Sequence, residues 1–345
     1  MLNIAIAIIA LAISTIFNAG VFKSIKPHFN GECNVISGIV GAEDITMLRD
    51  GLAIISSDDR RSNMHGDNIQ GGLFLYDIDN QSLLNLTKNL EFDFHPHGLS
   101  VFTKEDTIYS ENQIYTVAVV NHRSHEQTIE FFELIKTNLT HIKTIRNDKL
   151  VSPNDLVLIN KRQFYFTNDH LTIDPTAQKF YNYLQIPRSN VVFYDGSQSI
   201  VAAKGLTYAN GINISPDLKT IYVAESLGKK ISIFSINNTS KKLKKIKTIN
   251  VNTAVDNIEI DHNGDLWIAG HPKVLEFVKH MNDVNHYSPS QVIKISFNGK
   301  KHNIDEVFLN DGKELSGSSV ASVYNNNLFI GTVFDDKFLH CKMYK

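Results

Sequence analysis

Asn154-Asp155 is followed by LVLINKRQFYFTND (156–169). A polar pair opens an apolar run, a polar turn reverses the chain, and a second run of β-branched and aromatic residues returns. The same order recurs along the chain. Glu43-Asp44 precedes ITMLRDGLAIISS (45–57), and His97-Gly98 precedes LSVF (99–102), with an insertion before IYTVAVVNH (114–122). Asn210-Gly211 precedes INISPDLKTIYVAES (212–226), Asp256-Asn257 precedes IEIDHNGDLWIAGH (258–271), and Ser318-Ser319 precedes VASVYNNNLFIGTV (320–333). Six openings spaced 46–62 residues apart match four-stranded propeller blades. A solenoid demands a tighter period, and two stacked sandwiches would not repeat the polar opening. The expected fold is all-β, a six-bladed β-propeller in which the innermost strand of each blade lines a central tunnel. The polar openings would then meet at one axis.

Around these repeats the 345-residue chain has an ordinary globular composition, 42% hydrophobic and 20% charged. A formal net charge of −2 implies no nucleic-acid partner. The run KKLKKIK, Lys241 to Lys247, alternates with apolar residues and reads as a solvated strand and turn. No Pro/Gly/Ser linker divides the chain after residue 30, so residues 23–345 read as a single propeller domain. Met1 to Phe22 holds no charged side chain, which reads as a signal peptide or a retained anchor. Phe17 lies two residues before Ala19, and Asn18 two before Gly20, so no small-x-small cleavage site stands out and a retained segment is favoured. Lys23 and Lys26 favour a cytoplasmic C-terminal side. The acceptor motifs at Asn80, Asn85, Asn138, Asn213, Asn237 and Asn238 favour glycosylation and secretion instead. The two cysteines, Cys33 and Cys341, sit near opposite ends. In an oxidising compartment such a pair would tie the first strand to the last, for about 4–5 kcal/mol in the chain-entropy model. A secreted, lumenal or extracellular protein is expected, with membrane association through a retained anchor as the variant.

The openings are mostly carboxylates and carboxamides: Glu43, Asp44, Asn154, Asp155, Asn210, Asp256 and Asn257, with His97. Such groups on a common axis suit a hard cation. Calcium takes six to eight oxygens and accepts amide carbonyls, magnesium keeps its waters, and zinc wants nitrogen or sulfur. Taken singly, Asn and Asp at strand starts merely cap turns; the phasing over six repeats is what argues for a site. His97, in HPHGL, opens the second repeat, and His122, in VVNH, ends the returning strand of the same repeat. A hairpin could bring them together, one imidazole deprotonating water and the other holding its tautomer. His95, His125 and His271 remain competitors among 14 histidines. There is no G-x-S-x-G elbow, no mid-chain cysteine, no Walker loop and no G-x-G-x-x-G, which leaves metal-assisted hydrolysis.

The stretches GAEDITMLRDGLAIISS, HPHGLS, VVNH, HIKTIR, TNDH, ANGINISPD, VDNI, GDLWIAGHP and GSSVASVY with IGTVF resemble the paraoxonases, calcium-dependent arylesterases and lactonases. The resemblance runs from about Gly38 to the C-terminus. It implies two Ca2+ ions in the tunnel, one catalytic and one structural. The catalytic ion would be held by Glu43, Asn154, Asn210, Asp256 and Asn257. The deeper one would be held by Asp44, Asp155 and the backbone carbonyl of Leu99. His97 and His122 fall on the family's histidine pair, Asp169 and His170 on secondary contributors, and Tyr208, His271, Val333 and Phe334 on substrate contacts. Cys33 and Cys341 match the ends of the family's disulfide. A retained N-terminus that binds a membrane or lipoprotein surface is also part of the resemblance. A small lactone or ester would be the substrate.

Two departures stand out. Where the family places a Tyr-containing flap, residues 58–72 read DDRRSNMHGDNIQGG, and Gly270 stands where vertebrate members carry a free cysteine. The altered flap keeps open a non-enzymatic, membrane-anchored chaperone or assembly factor. A calcium propeller acting on sugar lactones is a further alternative, which the VVNH histidine argues against.

Overall fold

A computed structural model describes residues 15–103 and 113–344. Residues 1–14, most of the apolar leader, and 104–112, most of the insertion in the second repeat, lie outside the described residues. Among the described residues no helix is long and apolar enough to cross a membrane.

Six antiparallel sheets surround one axis. Their innermost strands are Ala42–Met47, Pro96–Thr103, Pro153–Leu158, Ala209–Ile214, Ala254–Ile260 and Ser318–Tyr324. Each contacts the next, and the sixth contacts the first, so the ring is closed. Each sequence repeat supplies the inner two strands of one blade. The outer strands are mostly exposed or half-buried, as edges facing water are, and Ser82–Asn85 alternates the two. In blade 4 that strand is Leu243–Asn250, and its exposed lysines blunt the edge against pairing with another chain. The Lys241–Lys247 run is therefore a solvated strand.

The apolar core is not central. It forms six separate clusters, one in each wedge between neighbouring blades. Phe131, Phe164 and Phe166 fill the wedge between blades 2 and 3, and Tyr76, Phe329 and Phe338 the wedge between blades 6 and 1. This division leaves the axis to polar groups.

Blade 6 is closed by the N-terminal strand Gly31–Ser37, which pairs antiparallel with the last strand, Lys337–Met343. Cys33 stands opposite Cys341 in that register, and the two are disulfide-bonded. His28–Phe29 pairs with the outer strand Lys301–Asn310 of blade 5, so the N-terminal segment staples two blades.

Within a blade the second strand runs back to the end where the inner strand began. The connection after it therefore covers the same mouth of the tunnel as the polar openings. Helices α1 (Arg60–Met64), α2 (Pro175–Tyr183) and α3 (Val274–Asn282) lie in that connection in blades 1, 3 and 5.

The disulfide closes a loop of 308 residues. Replacing both cysteines by serine is expected to lower the unfolding free energy by about 2–5 kcal/mol, with the m-value rising because the denatured chain is less constrained. Urea unfolding of the two proteins checks this; coincident midpoints would show that strand pairing alone closes the ring.

Candidate functional site

A regular strand sends successive side chains to opposite faces. The inner strands break this rule at their openings. In all six blades the register shifts there, between Ala42 and Asp44, Pro96 and Leu99, Pro153 and Leu156, Ala209 and Ile212, Val255 and Ile258, and Ser318 and Ala321. These are β-bulges, which re-aim side chains by setting two residues against one. Blades 1, 3 and 5 offer side chains at both bulge positions: Glu43 and Asp44, Asn154 and Asp155, Asp256 and Asn257. Blades 2 and 4 offer one, His97 and Asn210, followed by glycine. The glycines are required by close approach. A Cβ on Gly98 would lie 2.6 Å from Asp155 Cα, and one on Gly211 would lie 2.6 Å from Asn257 Cα.

The upper set is Glu43, Asn154, Asn210, Asp256 and Asn257, all buried. Asn257 Nδ2 donates to Glu43 Oε1 at 2.9 Å, and Ser319 Oγ donates to the Glu43 carbonyl at 2.7 Å. Glu43 Oε2 and the amide oxygens of Asn154, Asn210 and Asn257 have no hydrogen-bond partner. Buried acceptors without donors are costly, each by roughly 1–3 kcal/mol. Four from separate segments on one axis form a set of hard oxygen donors that fits a calcium ion. The unpartnered donors of this set are all oxygens, whereas zinc prefers nitrogen and sulfur. Burial would raise the Glu43 carboxyl, but the charge and hydrogen bond of His97, the charge of Arg60 and the Asn257 amide hold it down to about 2.

The deeper set follows. Asp44 Oδ2 accepts from the Leu99 backbone N–H at 2.8 Å. Asp155 accepts from the backbone N–H groups of Leu156 (2.7 Å) and Ile212 (2.8 Å). Burial, then the charges of Asp155, Glu43 and Glu259, push the Asp44 carboxyl well above its usual range. Burial, then the charges of Glu43 and Glu259, do the same to Asp155. Two facing buried carboxylates fit a second bound cation. A cavity of about 250 Å³ continues below them, lined by Thr46, Ser100, Asn213 and Glu259 among others.

At the upper mouth, His97 Nδ1 lies 2.7 Å from His122 Nε2. His97 Nε2 faces Glu43 Oε1 at 3.3 Å. His122 Nδ1 is held by Gln127 Oε1 across the hairpin, where the two residues are direct partners in register. Burial, then the charge of His97, lower the His122 imidazole to about 4, so it is neutral at physiological pH. Gln127 Oε1 can only accept, so His122 carries its proton on Nδ1. Its Nε2 then accepts from His97 Nδ1, which leaves His97 Nε2, turned toward Glu43 Oε1, as the nitrogen that can gain or give up a proton.

Asp169 and His170 pair with each other at 2.8 Å, and His170 Nε2 lies 2.9 Å from Asn182 Oδ1 on α2. The Tyr208 ring packs edge-on against His170, 5.1 Å between centroids, and holds a positive φ of 58° next to the site. His271 Nε2 lies 2.9 Å from Asp256 Oδ2, and its ring stacks on Phe277 of α3. Phe334 is buried against Phe277 and beneath the Arg61 guanidinium, and Val333 beside it is half-buried. His125 is exposed. His95 is not part of the dyad; it is locked between Asp58 (2.9 Å) and Asp93 (3.0 Å). Of the acceptor motifs, Asn80, Asn138, Asn237 and Asn238 are exposed and Asn85 half-buried. Asn213 spends both ends of its amide on the Ile258 carbonyl and the Ile214 N–H.

Sequence reasoning missed Gln127, Ser319 and Arg60. Gln127 could have been read from the four residues separating it from His122, the length of a tight hairpin. Ser319 stands in the sixth opening, but its bond to Glu43, like the reach of Arg60 over blade 2, depends on contacts between blades, for which no local pattern exists.

The chain matches the family model described as Arylesterase over residues 24–343. It is 37% identical over 334 residues to "Serum paraoxonase/arylesterase 1" of Homo sapiens, covering 93% of this chain and 91% of that protein. It is 35% identical over 324 residues to "Serum paraoxonase/arylesterase 2" of Rattus norvegicus, covering 90% and 88%. Among solved structures, a putative gluconolactonase aligns with a TM-score of 0.55 at 14% identity, covering 92% of this chain and 93% of that one. The calcium-binding protein regucalcin of Agrobacterium tumefaciens aligns with a TM-score of 0.53 at 12% identity, covering 93% and 98%. These two likenesses speak to the fold alone.

The flap pair yields a pH test. The hydrogen bond to Asp58, then the charges of Asp58 and Asp93, raise the His95 imidazole above its usual value against burial. A raised pKa gives stability that is full below the unfolded value, about 6.5, and is lost as pH rises through the folded one. The gap in melting temperature between the native protein and His95→Gln is expected to be wide at pH 5.5 and narrow at pH 8.5. A constant gap would mean that the imidazole is not charged in the fold.

Proposed function

The chain belongs to the arylesterase family, and from that premise we propose that it is a calcium-dependent hydrolase of carboxylic esters and lactones. The observation that carries the calcium reading is the set of four buried, unpartnered oxygens on Glu43, Asn154, Asn210 and Asn257. With Asp256 they would hold the catalytic ion, and Glu43 and Asp256 would match its charge. Asp44, Asp155 and the Leu99 carbonyl would hold the structural ion. When bound, the upper ion supplies Lewis-acid polarisation of the substrate carbonyl and charge for the developing oxyanion.

The chain's own residues handle the proton. His97 Nε2, oriented through Nδ1 by His122 and Gln127, takes a proton from a water at the mouth. The hydroxide oxygen adds to the acyl carbon. As the carbon–oxygen bond to the leaving alkoxide breaks, the imidazolium returns its proton to that oxygen. An ester gives an acid and an alcohol; a lactone gives one hydroxy acid. Asp169–His170, Tyr208, His271, Val333 and Phe334 would wall the substrate. No acyl-enzyme is needed, so Gly270 in place of a thiol is neutral for turnover.

Secretion is the location that the Cys33–Cys341 bond, the exposed acceptor motifs and the serum relatives support. A signal or anchor segment at residues 1–22 is retained as part of this reading. The non-enzymatic alternative is not favoured, because the histidine pair and the full oxygen set are both kept.

Purified protein is expected to hydrolyse phenyl acetate and aliphatic lactones. Chelation should abolish this and lower the melting temperature, since an ion bound only by the native state stabilises it. Hydrolysis that survives exhaustive chelation with an unmoved melting temperature would defeat the calcium reading. His97→Gln is expected to reduce lactone kcat at least roughly tenfold with little change in melting temperature. Undiminished turnover would remove His97 from the chemistry.

A further inference from the structure

The flap run DDRR, residues 58–61, carries two arginines, and both fold inward. An arginine in a surface loop ordinarily leaves its head group in water. Arg61 is anchored to α3 and to the segment after blade 6's second strand, with its Nε buried and unpartnered. Its Nη2 donates to the His280 carbonyl at 2.9 Å and its Nη1 to the Phe334 carbonyl at 3.4 Å, over the Phe334 ring. Arg60 is different. It sits at the mouth of the tunnel with Nη2 donating to the Pro96 carbonyl at 3.0 Å and lying 3.9 Å from Glu43 Oε2. Its Nη1 donates to nothing, and the side chain keeps 14% exposure.

A guanidinium carries five N–H donors in a planar fork, so most of the donors of Arg60 are unspent. Its acidic sequence neighbours do not spend them. Asp58 is taken by His95 and Asn63, and Asp59 by Ser62. The only carboxylate of the chain that Arg60 pairs with among the described residues is Glu43, a residue of the upper oxygen set. Under the hydrolase reading above, on which this rests, the charges of Glu43 and Asp256 are matched by the ion. The charge of Arg60 is then left over at the mouth. His97 Nε2 flanks the other oxygen of the same carboxylate. A group seated on Arg60 therefore lies beside the base nitrogen.

We propose that Arg60 is a specificity-determining residue that seats a carboxylate borne by the substrate, so that the site prefers anionic esters and lactones to neutral ones of the same shape. A carboxylate offers two parallel acceptors, the complement of an arginine fork. The α1 helix fixes the arginine there: Asp59 caps it by accepting from the Ser62 N–H, and Asn63 ties it to Ile69 and Asp58.

The test uses two isosteres in calcium-containing buffer, 4-acetoxybenzoate and the neutral 4-acetoxybenzamide. The native protein is expected to favour the anion in kcat/KM. In Arg60→Gln the anion-to-neutral ratio should fall at least roughly tenfold. In Arg60→Lys, which keeps the charge and loses the fork, it should fall at least roughly threefold. A ratio divides out any general loss of folding or of chemistry, so a purely structural role for Arg60 would leave it unmoved. An unmoved ratio in either folded variant overturns the proposal, as does a native protein that turns over only the neutral ester. If neither ester is turned over, the hydrolase reading fails separately, and equilibrium binding of 4-acetamidobenzoate decides. Binding weakened at least roughly tenfold in Arg60→Gln supports the seat, and equal binding overturns it.

Discussion

Acceptors outnumber donors at the centre of the ring, and the rest of the structure is organised around that excess. Glu43, Asp44, Asp155 and Asp256 are four carboxylates, each at most 5% exposed, within one tunnel. The amide oxygens of Asn154, Asn210 and Asn257 join them without donors. Isolated buried charge in a protein interior costs several kcal/mol per group. Backbone N–H groups of Leu99, Leu156 and Ile212 offset part of this, and His97, His271 and Arg60 offset more at the upper mouth. An ordinary hydrophobic centre would have been cheaper. The fold instead places its apolar mass in the wedges between blades, where Phe and Ile can be buried without displacing the polar axis.

The bulges explain how six short strands deliver this set. Without them, Asn154 and Asp155 would point to opposite faces, and half of the candidate ligands would lie in the wedges. With them, Glu43 and Asn154 join the upper set and Asp44 and Asp155 the deeper one, while Asp256 and Asn257 both join the upper set. The cost falls on the neighbours, which must be glycine at 98 and 211. The glycines of blades 2 and 4 make room for the two-sided openings of blades 3 and 5. Helices α1, α2 and α3 lie over blades 1, 3 and 5.

Much of this was legible in the sequence, for identifiable reasons. The blade count follows from the repeat of polar pair, apolar run, turn and returning run, which is local and periodic. The convergence of the polar openings follows from the blade count. His97 and His122 could be paired because they occupy the ends of two strands of one hairpin. The contacts that set their chemistry were not legible. Gln127 needs the hairpin register, and Arg60 needs a loop of blade 1 to fold over a strand of blade 2. Asn213 shows the converse. Its acceptor motif is visible, but a strand position spends its amide on backbone groups, and only the fold reveals that. The DDRR stretch read as merely polar because nothing in its sequence says which arginine is engaged.

Ring closure and site geometry are one problem, solved at the junction of blades 6 and 1. Glu43 belongs to the first blade and Ser319, which donates to its carbonyl, to the last. On the second strand of blade 6, Gly331 lies so near the Ala42 carbonyl that a Cβ would stand 2.2 Å from it. The strand that holds blade 6 in place from outside, Gly31–Ser37, is only a few residues upstream of Glu43. Pulling the chain ends together therefore sets the distance between Ser319 and Glu43, and with it the position of the carboxylate that Asn257, His97 and Arg60 also address. A propeller open at this junction would keep five wedges of its core and lose the geometry of its axis. That is a physical reason for spending a covalent bond here, at Cys33 and Cys341, rather than at any of the five junctions that chain connectivity already closes.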